Sequence, residues 1–428
     1  EVLYLGTPDF ESYVTAQGFG YASFSLAPSA ESRTKTSGWF SARKRRRRQW
    51  LHFEQGVERI LVRAEQLMWE RQPVLMLVDP LVSWQSVLPY RCGIPSIGVN
   101  ATMASTFSPG IPPVFSPLLP APANSVLATW RNISAWARCI GPRWWQRLVQ
   151  DKILPMTLGL APRSGAVHNV KRHGARVLWG EYGPWLDLPE LVFTVRELDF
   201  PESARFRERT YVGSCVHLTR AEGHFDWDGL DRDRPLVYCS LGTYNAAYPH
   251  AKRLFTSVVD ALKRREDLQG IVQVGDTMEV DAFGPLPDRI KVLKFVPQLE
   301  VLSRTNVFVT HGGPSSLREA LYFGVPTIVF PCWLDQLGNA ARIVYYGLGL
   351  RADIATVTVE HLLALLDEVM QKRFLENCAR MQKPFREQLS CQAGVDFIEA
   401  FLRGHDGVAQ IPPARPDLSP LQSRSTGG

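Results

Sequence analysis

The sequence predicts an α/β protein built from two Rossmann-like domains that face a central cleft. Short apolar runs typical of buried strands alternate with amphipathic helical stretches, which is the pattern of βαβ units. A length of 428 residues is enough for two or three domains with large cores. In the second half, one strand passes through a glycine turn directly into a helix, an arrangement that commonly binds phosphate.

The first domain is predicted to span residues 1–218. Residues 109–122 are too rich in proline for a helix or a central strand. A helical stretch from Trp130 to Leu160 places tryptophans beside arginines, which fits a packed helix, a wall for an apolar acceptor or a membrane-interface helix. The other elements are a helix at 10–17 and strands at 1–5, 21–26, 73–78, 93–99, 188–195 and 209–213.

The composition excludes a broad nucleic-acid-binding surface. The formal net charge is +6, and the six basic residues at 43–48 (RKRRRR) account for all of it. We expect this run to be a solvated loop, with contact to a membrane surface or a partner as the alternative. Seven cysteines without a C-x-x-C pair, and no apolar run of about 18 residues, predict a cytoplasmic protein that is soluble or at most peripheral to a membrane.

A polar linker is predicted at 219–234 and the second domain at 235–403. The linker carries two D-x-D pairs, which we expect to be solvated acids, so no metal site is predicted. A last helix is expected to cross back to the first domain, and the tail 404–428 to be disordered. The remaining elements are predicted at 235–240, 251–264, 270–274, 290–294, 307–309, 314–323, 327–330, 359–370 and 374–388.

The strand at 307–309 and the helix that follows it predict an anion site. The turn Thr310-His311-Gly312-Gly313 joins them, and Pro314 suits the first helical position because its missing N–H costs nothing there. Free backbone N–H groups and the positive helix end then point at one place, which favours phosphate.

Polar side chains are placed around this anion site. Ser315 and Ser316 lie in the first helical turn, where their hydroxyls can bind phosphate, and the ring of His311 can donate to a pyrophosphate. Glu319 lies one turn deeper, where an acceptor-only carboxylate suits the two hydroxyls of a ribose. The alternative is a Rossmann-like strand–helix–strand unit with a solvated loop.

Two further turns extend the predicted site. Asp335 and Gln336 follow the next strand at its carboxyl end, where ligands of open α/β sheets bind and where a polyhydroxyl group could be held. The small-residue turn Leu241-Gly242-Thr243 follows the strand at 235–240, and the backbone there can approach a diphosphate closely.

The stretch 295–339 resembles the donor-binding motif of the UDP-glycosyltransferases, inverting enzymes of the GT-B fold. The family pattern is aromatic-x-P-Q, H-x-G-x-N-S, E, G-V-P and D-Q-x-x-N. Phe295 stands where many members have Trp, and Ser315 where Asn is commoner. The matching residues are Phe295, Pro297, Gln298, His311, Gly313, Ser316, Glu319, Gly324, Val325, Pro326, Asp335, Gln336 and Asn339.

The resemblance implies a role for each part of this motif. Val296 and Gln298 would face the nucleobase, and Glu319 the ribose. His311 and Ser316 would hold the diphosphate, and Asp335 with Gln336 the donor sugar. Gly313 and Ser315 are further predicted donor contacts. A similar Ser/Gly/Thr turn in the family adds Ser240, Gly242 and Thr243. No cofactor is implied beyond the nucleotide diphosphosugar, which is a co-substrate.

The resemblance also concerns catalysis. The family's general base is a His after the first strand, and no His of this sequence occupies that place, so a strand, loop and helix are expected to be missing upstream of Glu1. Asp79, at the end of the predicted strand 73–78, would orient that absent His. The alternative is that Asp79 caps the next helix.

The implied reaction is transfer of a hexose, with inversion, from UDP-glucose to a hydroxyl of a lipophilic small molecule. A dTDP-sugar is the alternative donor. A catalytically impaired nucleotide-sugar-binding auxiliary protein is the rival function, and a GT-B sugar epimerase fits less well because it would not need the D-Q-x-x-N pattern.

Overall fold

The protein is described by a computed structural model that covers residues 1–23, 62–79, 88–89, 92–122, 125–148, 177–181, 183–201, 209–243 and 245–405. The basic run at 43–48 and most of the predicted tail lie outside these residues. None of the helices in the described ranges combines the length and the apolarity of a bilayer span.

The described residues of the first half form three small sheets. The largest has four parallel strands in the order β3-β4-β7-β8, and we call it the first sheet. A parallel pair, β1-β2, and an antiparallel pair, β5-β6, accompany it. The strands are β1 (Leu3–Gly6), β2 (Gly20–Ser23), β3 (Met76–Val78), β4 (Ser96–Asn100), β5 (Val177–Gly180), β6 (Gly183–Leu186), β7 (Glu190–Val192) and β8 (Arg209–Tyr211).

The second half forms one sheet of six parallel strands, the second sheet. Its order is β11-β10-β9-β12-β13-β14, so the chain moves outward in one direction from β9 and then in the other from β12. This is the strand order of a dinucleotide-binding Rossmann sheet. The strands are β9 (Leu236–Ser240), β10 (Gln269–Gln273), β11 (Ile290–Leu293), β12 (Val307–Thr310), β13 (Thr327–Val329) and β14 (Gly349–Arg351).

Nine helices are given labels among the described residues. Two precede the second sheet, six accompany it and the last one, α9, packs on the first sheet. There its Phe397, Ile398 and Phe401 pack against the cluster of Ile97, Leu191 and Val212. They are α1 (Glu11–Thr15), α2 (Val126–Leu148), α3 (Ala251–Arg264), α4 (Gln298–Leu302), α5 (Pro314–Phe323), α6 (Gln336–Tyr345), α7 (Val359–Val369), α8 (Lys372–Glu387) and α9 (Gln392–His405).

The sequence predicted most elements of the second sheet within one or two residues. The start of α5 at Pro314 and its end at Gly324, whose φ of 74° closes the helix in a left-handed conformation, are confirmed. Asp335 lies in the turn after β13, as predicted, but no helix was predicted at Gln336, where α6 begins. Helix α9 packs against the first sheet, to which the last helix was expected to cross back.

A buried network of charges joins the two halves. Asp199, whose side chain is fully buried, accepts from Arg342 of α6 at 2.6 Å and from Arg209 of β8 at 3.0 Å. Tyr211 donates to the same carboxylate, and Arg209 also pairs with the buried Glu190. Burial alone would raise the pKa of Asp199, but the two guanidinium groups outweigh it and hold the pKa at about 2.

Candidate functional site

The second sheet has its topological switch point between β9 and β12. The ends of these strands, Ser240 and Thr310, are direct neighbours in the parallel pairing. The turns that follow them therefore lie side by side, although about 70 residues separate them in the sequence. This is where ligands of open α/β sheets bind, so the two predicted glycine turns form one site.

His311 lies between two of the predicted glycines. A Cβ atom on Gly242 would lie 2.8 Å from the imidazole Cε1, and one on Gly313 would lie 2.5 Å from Nε2. Only glycine at both positions leaves room for the ring. Burial lowers the pKa of His311 to about 4, so the imidazole is neutral at pH 7 and keeps one N–H to donate.

Tyr248 connects the His311 turn to the start of α6. Its ring lies 5.5 Å from that of His311 and 4.8 Å from that of Trp333. Its hydroxyl oxygen accepts from Nε2 of Gln336 at 3.1 Å. The other end of the Gln336 amide accepts from the backbone N–H groups of Cys332 and Trp333, so Gln336 organises the 332–336 turn as well as lying in the site.

Asp335 is tied to the glycine turn through Asn339. The Asn339 amide donates to Oδ2 of Asp335 and to the carbonyl of Gly312, each at 3.0 Å. Burial raises the pKa of Asp335. This arrangement explains the D-Q-x-x-N spacing, because residues 335 and 339 lie one helical turn apart and the second positions the first.

Glu319 is a second buried acid of the site, and both of its oxygens are bound. Arg220, from the segment between the two sheets, donates to Oε1 at 2.5 Å and to Oε2 at 3.3 Å. Gln298 donates to Oε2 at 2.6 Å. The Gln298 amide also lies 3.5 Å from the Ser316 hydroxyl, so Ser316, Glu319 and Gln298 are brought together as predicted neighbours of one ligand.

Ser315 contacts an arginine rather than lying free. Arg318 donates to the Ser315 hydroxyl at 3.2 Å and to the carbonyl of Phe193 at 2.7 Å, so it bridges α5 and the segment after β7. Ser240 accepts from the backbone N–H of Gly242 at 3.3 Å and shapes that turn.

Four further residues with a predicted role differ in how exposed their side chains are. The side chain of Val296 is buried in the apolar core, so only its backbone can face a ligand. Phe295 beside it is 62% exposed, as an aromatic platform requires. Thr243 is exposed after the β9 turn. Asp79 is exposed at the carboxyl end of β3, and the helix expected after it lies outside the described residues.

Sequence reasoning missed Arg220 and Tyr248. Arg220 lies 99 residues from Glu319, and Tyr248 lies 88 residues from Gln336. Neither has a local pattern that marks it. The two D-x-D pairs, in contrast, form turns in which Asp226 and Asp231 accept from the backbone N–H groups of Asp228 and Asp233.

Known proteins resemble this chain in sequence and in fold. NDP-glycosyltransferase YjiC of Bacillus subtilis is 33% identical over 172 residues, which are 40% of this chain and 43% of that protein. Zeaxanthin glucosyltransferase of Pantoea ananas is 25% identical over 337 residues, 76% of this chain and 70% of that protein. The chain spans about half the length of the first curated relatives that it matches.

The fold comparison covers nearly the whole chain. The crystal structure of the glycotransferase of kitacinnamycin superposes with a TM-score of 0.63 at 24% identity, over 94% of this chain and 92% of that one. The family model described as UDP-glucoronosyl and UDP-glucosyl transferase matches residues 235–426, which include the second sheet and its switch-point site. This part of the chain is similar to the UDP-glucoronosyl and UDP-glucosyl transferase family, and the fold is that of the GT-B glycosyltransferases.

Proposed function

We propose that the protein is a glycosyltransferase that moves a hexose from a nucleotide diphosphosugar to a hydroxyl of a lipophilic small molecule, with inversion at the anomeric carbon. One observation carries the proposal. A buried carboxylate, Glu319, lies one turn inside the helix whose N-terminus meets the His311 and Gly242 turns at the switch point.

Each part of the donor has a group suited to it. The N-terminus of α5 and the neutral ring of His311 donate to the diphosphate, and they stabilise the charge that grows on the leaving group. Glu319 accepts from the ribose hydroxyls, and the exposed Phe295 stacks on the base. Asp335, held by Asn339, accepts from the donor sugar. No step of this binding requires a metal ion.

Ribose binding changes the partners of Glu319. Arg220 and Gln298 already engage both carboxylate oxygens. Because each oxygen has about two acceptor positions, a ribose shares Oε1 with Arg220 or displaces its weaker 3.3 Å contact to Oε2. We infer that Arg220 orients Glu319 in the free protein and remains beside the nucleotide.

The proposed acceptor is apolar. Helix α2 exposes Trp130, Trp144 and Trp145, and these rings can contact such a molecule or a membrane surface. A relative that is named a zeaxanthin glucosyltransferase supports a lipophilic acceptor. Asp79 at the end of β3 is proposed as the carboxylate that orients the catalytic base, and closure of the two halves would align acceptor and anomeric carbon.

Two measurements test the proposal. Mass spectrometry of apolar hydroxylated acceptors incubated with UDP-glucose should show the gain of one hexose. Titration with UDP should show binding that falls about 10-fold or more in Glu319→Ala, because hydrogen bonds to a charged group are lost. Glu360→Ala, which removes an exposed acid of α7, is the control and should bind UDP normally.

The outcomes separate the possible functions. UDP affinity that is unchanged in Glu319→Ala would refute the ribose assignment. Tighter binding of dTDP than of UDP would assign the other donor class. UDP binding without hexose transfer to any acceptor would favour the auxiliary, non-catalytic protein.

A further inference from the structure

The chain runs from the first sheet to the second and later returns, and these two connecting segments, the two crossings, are in contact. The first crossing leaves β8 and runs through 212–220 towards β9, and the second runs from α8 through 388–391 to α9. The backbone N–H of Ser214 donates to the carbonyl of Gln388 at 2.9 Å. A side chain on Gly213 would collide with the same carbonyl, so the two crossing segments lie in close contact.

Two thiols meet at this contact. The Sγ atoms of Cys215 and Cys391 lie 3.3 Å apart, and both residues are reduced. A disulfide bond is about 2.05 Å long, so the sulfur atoms need to approach by little more than 1 Å. Cys391 is exposed and precedes α9 in a turn, where a movement of this size is easily accommodated.

A cation lies beside the pair. The guanidinium of Arg318 interacts electrostatically with both residues, so a positive charge faces the sulfur pair. Burial raises the pKa of Cys215, to about 12, so the exposed Cys391 is the thiol that reacts first and Cys215 is the one that closes the bond.

We propose that Cys215 and Cys391 form a reversible disulfide that ties together the two crossings between the sheets. The oxidant is a small-molecule disulfide of the glutathione class. The Cys391 thiolate attacks oxidised glutathione and releases one glutathione thiolate. The Cys215 thiolate then attacks the Cys391 sulfur of the mixed disulfide and releases the second. One glutathione disulfide is reduced to two thiols, and two protein thiols become one disulfide.

Peptide mapping of the native protein tests this proposal. The reduced chain is incubated with oxidised glutathione, alkylated and digested with trypsin without a reductant. Cys215 and Cys391 fall in separate tryptic peptides, 210–220 and 387–403, each with a single cysteine. We expect these two peptides to be joined, the intact mass to fall by two hydrogen atoms, and dithiothreitol to reverse both changes.

Three variants sharpen the test. Cys215→Ser should stop the reaction at a mixed disulfide between glutathione and Cys391, and Cys391→Ser should form no disulfide. Cys332→Ser, which removes the other partly exposed cysteine, should behave as the unmodified chain. Oxidation should raise the thermal midpoint of the unmodified chain and of Cys332→Ser only, since the bond closes a loop of 176 residues. A stable glutathione adduct without the 210–220 to 387–403 link, or a link to another cysteine, would overturn the proposal.

Discussion

Glu319 shows how a single residue can be predicted while its partner cannot. The acid follows Ser315 by four positions, so its place inside the helix is a matter of local spacing. Arg220 reaches it from the segment between the sheets, and only the fold brings the two together. Gln298 is an intermediate case, since the motif marks the residue but not its bond to Glu319.

A double-mutant cycle measures the bond between Arg220 and Glu319. Arg220→Met, Glu319→Gln and the double variant should give a coupling free energy of unfolding of about 1–2 kcal/mol, because the pair is only partly exposed. The exposed pair of Arg264 and Glu360 should give a clearly smaller coupling in the same urea titrations, because solvent screens its charges. A coupling near zero at Arg220 would mean that solvent screens this pair as well.

The buried ring of His311 predicts a pH dependence of stability. Its pKa is about 4 in the folded protein and near 6.5 in the unfolded chain, so the unfolded chain binds the proton first as the pH falls. The part of the free energy of unfolding that depends on a neutral His311 is fully present above pH 6.5 and falls as the pH drops towards 4. About 2 kcal/mol of it is lost by pH 5.

Urea unfolding at pH 7 and pH 5 isolates this effect. The loss of stability on acidification should be smaller in His311→Asn by about 2 kcal/mol, whereas His361→Asn, a change at an exposed histidine, should behave as the unmodified chain. Equal acid sensitivity in all three proteins would show that His311 does not titrate abnormally.

At the scale of elements, boundaries set by glycine and proline were predictable and those set by packing were not. Helix α5 starts at Pro314 and stops at Gly324 for reasons visible in the sequence. Helix α6 begins directly at Gln336, with a polar first turn that indicated a loop. What fixes it is tertiary: the N–H of Gly338 donates to the carbonyl of Val114 at 2.8 Å, and a side chain at 338 would collide with that carbonyl.

The turn after β9 gives a test with a matched control. Gly242 has a φ of 73° and faces the His311 ring, whereas Gly223 has a φ of 81° with open space at its Cβ position. Gly223→Ala should cost about 1 kcal/mol of folding stability through backbone strain alone. Gly242→Ala should cost about 2–4 kcal/mol because the ring must also move. UDP affinity should fall only in Gly242→Ala. Equal losses of stability and of UDP affinity in both variants would contradict the close packing of Gly242 against the His311 ring.

At the scale of the molecule, the alternation of strands and helices in the sequence predicted the α/β class and the parallel second sheet. It did not predict which residues join the two halves. Asp199, Arg209 and Arg342 are spread over 143 positions, and nothing in their local sequence marks them as buried. Their pairing explains why charged residues are tolerated in the interior, since each charge has a partner with good geometry.

Replacement of Asp199 should therefore weaken the whole structure. Asp199→Asn leaves Arg209 and Arg342 buried without a shared counter-charge, and we expect a loss of about 3–5 kcal/mol in the free energy of unfolding. Urea unfolding followed by circular dichroism measures it, with the exposed Asp353 as the control position for an Asp→Asn change. A loss below 1 kcal/mol would show that the network does not hold the halves together.

The contact between Ser214 and Gln388 has a consequence for how such chains can be recombined. Residues 215–387 leave the first half and return to it at points that one hydrogen bond joins. A foreign segment of the same fold would need to match only these two adjacent chain ends, in the way that inserted domains do. Helix α9 and the first sheet would stay as they are, so the half that carries the second sheet has the connectivity of an exchangeable cassette.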